Sequence, residues 1–134
     1  MEECTKLRAL IVDDAVISRR IICKIITNVF DYDEAENGLI ALQKYQEAVE
    51  LGKPYSIVFM DVIMPEMDGK EAVRKIRQYE ESLAIPKAPI VMVTASEMID
   101  DIEELVFGLL RKIVTKQLLD PMLQKIFSGK IAPL

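Results

Sequence analysis

The feature that most constrains this chain is a fivefold alternation between short apolar runs and longer segments of helical period. The short runs are apolar at nearly every position, as strands covered on both faces are. The longer segments repeat apolar residues every three or four positions, which is typical of a helix with one buried face. Regular alternation predicts a parallel sheet with helices on both faces. We predict strands near residues 7–12, 32–35, 56–60, 90–94 and 112–115.

The helices are predicted between and after these strands. The first should bury a face that includes Ile17. The fourth is predicted from apolar residues at helical spacing between Met98 and Leu109. The last is predicted to begin at Pro121, with Asp120 as its N-cap.

Length and composition restrict the class of protein. With 134 residues and 51% hydrophobic content, we expect one domain over 1–134, with a core of about 7–128 and a short C-terminal tail. A net charge of −5 without a basic stripe argues against nucleic acid as a partner. No apolar run reaches the roughly 20 residues that span a bilayer, so no membrane insertion is expected. Two separate thiols, Cys4 and Cys23, and the lack of a signal-like start indicate a cytoplasmic location.

The chain contains no histidine. Histidine is the commonest general base and the commonest transition-metal ligand. Any chemistry must therefore use carboxylates, hydroxyls, lysine and hard cations.

Polar residues interrupt the apolar pattern at corresponding places. Asp13, Asp14, Asp61, Thr94 and Lys116 each lie just past the end of a predicted strand. In open parallel sheets the carboxyl ends of the strands form the ligand-binding crevice. Four strands would therefore deliver three carboxylates, a hydroxyl and an ammonium to one edge.

Each of these residues also has an ordinary structural interpretation. Asp14 could be a helix N-cap and Asp61 a turn residue. Thr94 with Glu97 fits a Ser/Thr-x-x-Glu capping box, and Lys116 alone resembles a surface lysine. Their coincidence at four strand ends favours a shared site.

Three neighbouring carboxylates raise one another's pKa unless a cation compensates their charge. Mg²⁺ suits such a group because it prefers one or two carboxylates, keeps several waters and completes its shell with phosphate oxygens; Mn²⁺ is the alternative. A lysine and a threonine opposite the cation could contact a phosphoryl group. One of the carboxylates could itself act as the nucleophile and form an aspartyl phosphate.

Several short motifs resemble those of a known family in order and spacing. They are Ile-Val-Asp-Asp at 11–14, Glu-Ala-Glu-Asn-Gly at 34–38, the segment 59–69 with its Asp, Met-Pro and Asp-Gly, Val-Thr-Ala at 93–95 and Thr-Lys at 115–116. Together they resemble the receiver domains of two-component response regulators and hybrid histidine kinases. The resemblance covers about residues 7–127.

The resemblance implies a flavodoxin-like, doubly wound (βα)5 fold with strand order 2-1-3-4-5. It implies that Asp61 accepts a phosphoryl group from a histidine kinase or a histidine phosphotransfer protein. Asp14, Asp61 and the backbone carbonyl of Ile63 would bind Mg²⁺ directly, and Asp13 would act through water.

The resemblance also assigns the remaining site residues and the output. Thr94 and Lys116 would contact the phosphoryl oxygens, and the small Ala95 would leave room for the group. A downstream protein would bind the face formed by helix 4, strand 5 and helix 5. The chain would be a signalling module rather than a dedicated enzyme.

Three positions depart from the family pattern. Gln117 follows Lys116 where proline is usual, which argues against a cis peptide there. Ile113, three residues before Lys116, stands where an aromatic switch residue is usual, and Gly108 lies one position early. Separately, the apolar Ile63 should hinder an attacking water and slow the loss of a phosphoryl group from Asp61.

Other function classes remain open at this point. A pseudo-receiver would keep the fold as an interaction module that is not phosphorylated. A flavodoxin would need a Ser/Thr/Gly-rich phosphate loop after strand one, where Asp13 and Asp14 stand instead. An aspartate-nucleophile phosphatase would need a second Asp two residues past Asp61, where Ile63 stands. Both a stand-alone regulator and a receiver from a hybrid kinase fit the sequence.

Overall fold

The protein is described by a computed structural model over residues 7–95 and 97–134; Cys4 lies outside these residues. Five parallel strands form one sheet in the order β2-β1-β3-β4-β5, which confirms the predicted fold class and strand order. The elements in chain order are β1 Leu7–Val12, α1 Val16–Ile26, β2 Phe30–Ala35, α2 Gly38–Glu50, β3 Ile57–Met60, α3 Gly69–Leu83, β4 Ile90–Thr94, a 3₁₀ helix Asp100–Leu105, β5 Gly108–Arg111 and α4 Lys116–Ile126.

The sheet separates two apolar cores because successive side chains of a strand point to opposite faces. One core contains Leu10, Val58 and Met92 from the strands and is covered by α2, α3 and the 3₁₀ helix. The other contains Ile11, Phe59 and Val91, their strand neighbours, and is covered by α1 and α4. The continuous apolar runs of the sequence therefore serve both cores.

Side-chain caps begin three of the four α-helices. Asn37 accepts the Ile40 N–H at the start of α2, and Asp68 accepts the Glu71 N–H at the start of α3. Each cap satisfies a backbone donor that has no partner within the helix. Within the described ranges, the helices are too short or too polar to cross a bilayer.

The fourth and fifth units differ from the prediction. The segment predicted as a helix from Met98 to Leu109 holds only the short 3₁₀ helix, and its last residues belong to β5. The strand predicted at 112–115 is instead Gly108–Arg111, which pairs with β4 from Val91 to Thr94. A short apolar run fits a buried helix face and a buried strand equally well. Here residues 108–111 form a strand because they pair with β4.

The last helix begins five residues before the predicted start. Thr115, rather than Asp120, is its N-cap and accepts the Leu118 N–H at 3.2 Å. Pro121 consequently lies inside α4. A proline there removes the donor that would pair with the carbonyl of Gln117, but both residues are exposed, so water can solvate that carbonyl.

The first helix also buries a narrower face than predicted. Its buried residues are Ile22, Cys23 and Ile26, whereas Ile17 is 76% exposed and Val16 is 53% exposed. The helix therefore presents two apolar side chains to solvent next to the end of β1.

Candidate functional site

Three carboxylates meet at the carboxyl edge of the sheet. Asp13 follows β1 and Asp61 follows β3, and these strands are neighbours with Val12 paired to Met60. One carboxylate oxygen from each of Asp13, Asp14 and Asp61 lies within 4.8 Å of the others. Asp13 and Asp61 are only 4% and 6% exposed, whereas Asp14 faces solvent. We call this group the acidic pocket.

Asp13 is held by contacts on every side. Its N–H donates to the Ala35 carbonyl at 3.1 Å, and its Oδ1 accepts the Ala15 N–H at 2.9 Å. Its own carbonyl accepts from the Arg19 guanidinium at 2.7 Å, and Arg19 is paired with Glu34 at 2.8 Å. The start of α1 is thereby fixed against β2, and the Asp13 carboxylate has one defined position.

Asp61 is positioned by the start of α3. Its N–H donates to the Val12 carbonyl at 3.0 Å, and its Oδ1 accepts the Val62 N–H at 2.8 Å. A Cβ on Gly69 would lie 1.8 Å from the Asp61 carbonyl oxygen, so only glycine permits this approach. The Gly69 N–H also donates to the Val62 carbonyl at 2.7 Å. The Asp-Gly at 68–69 therefore closes the loop that carries Asp61.

The lysine at the pocket is Lys112, which corrects the expectation for Lys116. The Lys112 ammonium lies 2.7 Å from Asp13 Oδ2 and 3.4 Å from Asp61 Oδ2. Lys112 directly follows β5, the position that the sheet geometry requires of a residue at this edge. Lys116 is the exposed first residue of α4.

The prediction chose Lys116 instead of Lys112 because it placed the fifth strand four residues too late. The position where an aromatic switch residue is usual lies three residues before the lysine. Counted from Lys112 this position is Leu109 rather than Ile113, and Ile113 directly follows the lysine. The Lys112–Ile113 peptide is cis, whereas the expectation drawn from Gln117 concerned the peptide after Lys116, which is not cis. The signal that could have located the lysine is the apolar pair after Gly108 followed by Arg-Lys, which reads as a short strand ending in charge.

The electrostatics of the pocket raise the pKa of one carboxyl group above its usual range. Burial and then the charge of Asp13 raise the pKa of Asp61 to about 6, and Lys112 and the Val62 N–H offset only part of this. Burial opposes the charge of Lys112, but its contacts with Asp13 and Asp61 raise its pKa overall. One ammonium thus compensates two buried carboxylates incompletely.

Thr94 is the fully buried last residue of β4. Its hydroxyl donates a hydrogen bond to the Glu97 carboxylate and accepts the Glu97 N–H at 3.3 Å. Of the capping-box contacts expected for this pair, the bond from the Glu97 N–H to the Thr94 hydroxyl forms. The Glu97 carboxylate accepts the Thr94 hydroxyl rather than a backbone N–H, and the 3₁₀ helix begins only at Asp100. Ala95 is exposed, and Ile63 is 62% exposed beside the pocket.

The donor set of the acidic pocket fits a hard divalent cation. All its ligand atoms are carboxylate oxygens, which suit Mg²⁺ or Mn²⁺, and one of the three residues faces the water that Mg²⁺ retains. Asp13, Asp14 and Asp61 are the residues that could hold it.

Comparison with known proteins agrees with this geometry. The family described as response regulator receiver domain matches residues 9–127. The chemotaxis protein CheY of Listeria monocytogenes is 42% identical over 92 residues, which cover 66% of this chain and 68% of CheY. The hybrid signal transduction histidine kinase L of Dictyostelium discoideum is 34% identical over 95 residues, or 70% of this chain. This chain spans only 5% of the length of that kinase.

A solved structure shows the same architecture. The receiver domain of the histidine kinase CKI1 from Arabidopsis thaliana, crystallised in complex with Mg²⁺, superposes with a TM-score of 0.75 at 27% identity. The superposition covers 91% of this chain and 93% of that domain. Fold, acidic pocket and sequence similarity together show that this chain belongs to the response regulator receiver domain family.

Proposed function

We propose that Asp61 accepts a phosphoryl group and that the protein passes a phosphorylation-dependent signal to a partner protein. The single observation that carries this proposal is the Asp61 carboxylate, which is buried beside Asp13 and Asp14 and faces the Lys112 ammonium. A buried carboxylate that is kept at a defined position but poorly compensated is suited to reaction with an electrophile. We propose that residues 1–134 act as one domain in this role.

In the proposed reaction, an ionised Asp61 oxygen attacks the phosphorus of a phosphorylated donor. The new oxygen–phosphorus bond replaces the bond to the leaving group, which is the imidazole nitrogen of a phosphohistidine; that nitrogen then takes up a proton. Mg²⁺ held by Asp14, Asp61 and the Ile63 carbonyl, with Asp13 acting through water, would neutralise the transferred oxygens. Lys112 replaces Lys116 as the proposed ammonium contact to the phosphoryl group, and Ala95 leaves it room.

The surroundings of the pocket support a protein donor. Val16 and Ile17 at the start of α1 and Ile113 after Lys112 are more than half exposed, and Ile113 lines a small cavity together with Ser18 of α1. Exposed apolar side chains grouped beside a polar site are typical of a protein-binding surface. A histidine kinase or a histidine phosphotransfer protein that docks here would bring its phosphohistidine to Asp61.

The proposed output surface is the face formed by the 3₁₀ helix, β5 and α4. The β5 strand is an edge of the sheet, and Met98 and Phe107 are 63% and 46% exposed on this side. Thr94 at the end of β4 connects the pocket with this face. A local change of charge at Asp61 could thus alter a surface that a partner reads.

Intact-mass measurement after incubation with Mg²⁺ and acetyl phosphate tests the proposal. We expect a gain of one phosphoryl group that is lost when Mg²⁺ is chelated and that does not occur in Asp61→Asn. The Asp61→Asn variant should have the same circular dichroism spectrum as wild type, which shows that its failure to react is not a failure to fold. A folded wild-type protein that gains no mass would contradict the proposal and favour a pseudo-receiver.

A further inference from the structure

The hydroxyl of Thr94 is already engaged in the unphosphorylated protein. It donates to the Glu97 carboxylate, and the Glu97 N–H donates back to the same oxygen at 3.3 Å. The contact is reciprocal and lies at a side chain that is fully buried. The Thr94 hydroxyl therefore has one defined orientation.

The backbone of Thr94 is held in the sheet. Its carbonyl accepts the Lys112 N–H at 2.9 Å, and Thr94 is paired with Arg111 in the β4–β5 ladder. The Arg111 guanidinium also donates to the Glu97 carbonyl at 3.3 Å, and Ile99 is buried two residues further on. What can change is the rotation of the Thr94 side chain and the position of the Glu97 side chain.

A hydroxyl carries a single proton and can donate only one strong hydrogen bond. If Thr94 donates to a phosphoryl oxygen on Asp61, it must first give up the Glu97 carboxylate. Both acceptors are anionic, so the two hydrogen bonds are of similar kind and the exchange is close to balanced. The acceptor on residue 97 then decides how far phosphorylation turns the hydroxyl.

We propose that Glu97 is a positioning residue that holds the Thr94 hydroxyl in its unphosphorylated orientation and so opposes the phosphorylated conformation. This inference rests on the proposed function of Asp61. It predicts that Glu97 weakens the binding of any tetrahedral phosphoryl analogue at the pocket. It also assigns to this chain a residue that adjusts the strength of its response.

The test measures the affinity of the Mg²⁺-loaded protein for beryllofluoride, a phosphoryl analogue, by titration followed with fluorine-19 NMR. Removing an acceptor that competes for Thr94 should make Glu97→Ala bind about three- to tenfold more tightly than wild type. Glu97→Gln, whose amide oxygen is a weaker acceptor, should lie between the two and serves if Glu97→Ala does not fold. The control Glu104→Gln removes the same charge from an exposed position of the 3₁₀ helix and should bind as wild type does.

A double-mutant cycle separates this effect from a general loss of charge. In the Thr94→Val background, the hydroxyl is absent and the Glu97→Ala substitution should no longer increase the affinity. Unchanged or weaker binding by folded Glu97→Ala, or an equal gain in the Thr94→Val background, would overturn the inference.

A second measurement does not depend on the function of Asp61. The three-bond couplings of the Thr94 methyl group in the Mg²⁺-free protein report its χ1 rotamer. We expect one rotamer in wild type and averaging between rotamers in Glu97→Ala. If wild type binds no analogue, the proposed function fails; identical couplings in both proteins overturn the role of Glu97.

Discussion

Two buried carboxylates, Glu80 and Asp61, lie in this small protein under very different conditions. Glu80 is fully buried at the end of α3 and accepts three hydrogen bonds. They come from the Tyr45 hydroxyl at 2.5 Å, the Ala88 N–H at 2.9 Å and the Arg77 guanidinium at 2.7 Å. Asp61 is nearly as buried but accepts one close hydrogen bond, from the Val62 N–H. The Lys112 ammonium lies 3.4 Å from Asp61 Oδ2, and the Asp13 carboxylate lies beside it.

The comparison separates a structural carboxylate from a reactive one. The partners of Glu80 tie α2, the segment before β4 and α3 together, and Arg77 extends the link to the Leu105 carbonyl at 2.9 Å. Burial and the hydrogen bond to Glu80 raise the pKa of Tyr45, so its proton stays in place at neutral pH. Glu80 thus holds the fold together, whereas the incomplete compensation at Asp61 leaves its charge available for chemistry. The predictions below test this division.

The largest effect is expected at Glu80. Glu80→Ala leaves the Tyr45 hydroxyl, the Ala88 N–H and the Arg77 guanidinium without their shared acceptor, and should lower the free energy of unfolding by about 3–5 kcal/mol. Urea unfolding at pH 7.5 measures this loss. The exposed neighbour Glu81 provides the matched control, since Glu81→Ala should change stability by less than about 0.5 kcal/mol. Equal effects at both positions would contradict a structural role for Glu80.

Asp61→Asn should change stability in the opposite direction and increase the free energy of unfolding. With a folded-state pKa of about 6, Asp61 binds its proton more tightly in the fold than in the unfolded chain. Its contribution to stability is therefore lost as the pH rises from about 4 to above 6, and the ionised group then costs at most about 3 kcal/mol. Asp61→Asn removes that cost, so it should be more stable than wild type by roughly 2 kcal/mol at pH 7.5, and the gain should shrink towards pH 4.5.

Urea unfolding in the absence of Mg²⁺ at these two pH values measures the difference. Glu50→Gln, which removes one negative charge from the exposed end of α2, is the control for net charge. If Asp61→Asn were no more stable than wild type at pH 7.5, Asp61 would be as well compensated as Glu80 and the comparison would fail.

A smaller effect should distinguish the two lysines. Lys112→Met removes the ammonium shared by Asp13 and Asp61 and should lower the free energy of unfolding by about 1–2 kcal/mol at pH 7.5. It should also raise the pKa of Asp61 further, because a charge that lowers this pKa is lost. Lys116→Met is the matched variant and should stay within about 0.5 kcal/mol of wild type. Carboxyl-carbon NMR titration follows the pKa; a larger response in Lys116→Met would restore the original assignment.

The smallest expected effect concerns the lifetime of a phosphoryl group on Asp61. The apolar Ile63 should hinder an attacking water, so Ile63→Asn should shorten the lifetime about three- to tenfold, which corresponds to roughly 1 kcal/mol in the barrier. The decay of the phosphorylated mass with time measures it. Leu51→Asn, at the exposed end of α2, should leave the lifetime unchanged. A lifetime that Ile63→Asn leaves the same or lengthens would contradict this prediction.

Much of the site could be predicted because its first half lies next to strong local signals. Clear apolar runs precede Asp13, Asp14 and Asp61, so the positions of these residues at strand ends were easy to predict. The glycine of the Asp-Gly at 68–69 is required because a side chain there would collide with the Asp61 carbonyl oxygen. The second half was harder to predict because its signals are short and ambiguous. The segment from Val106 to Thr115 contains apolar residues that suit a helix, a strand or a loop, and the choice among them moved the lysine by four positions.

The sequence alone determined the layered α/β architecture, the strand order implied by the family resemblance and the three carboxylates at one edge. Local periodicity and strand ends suffice for these features, because each is recorded in consecutive residues. Only the tertiary structure decided which lysine enters the acidic pocket, how Glu97 engages Thr94 and why Glu80 differs from Asp61. Those outcomes depend on pairing between β4 and β5 and on partners that lie far apart in the chain, such as Asp61 and Lys112, which are 51 residues apart.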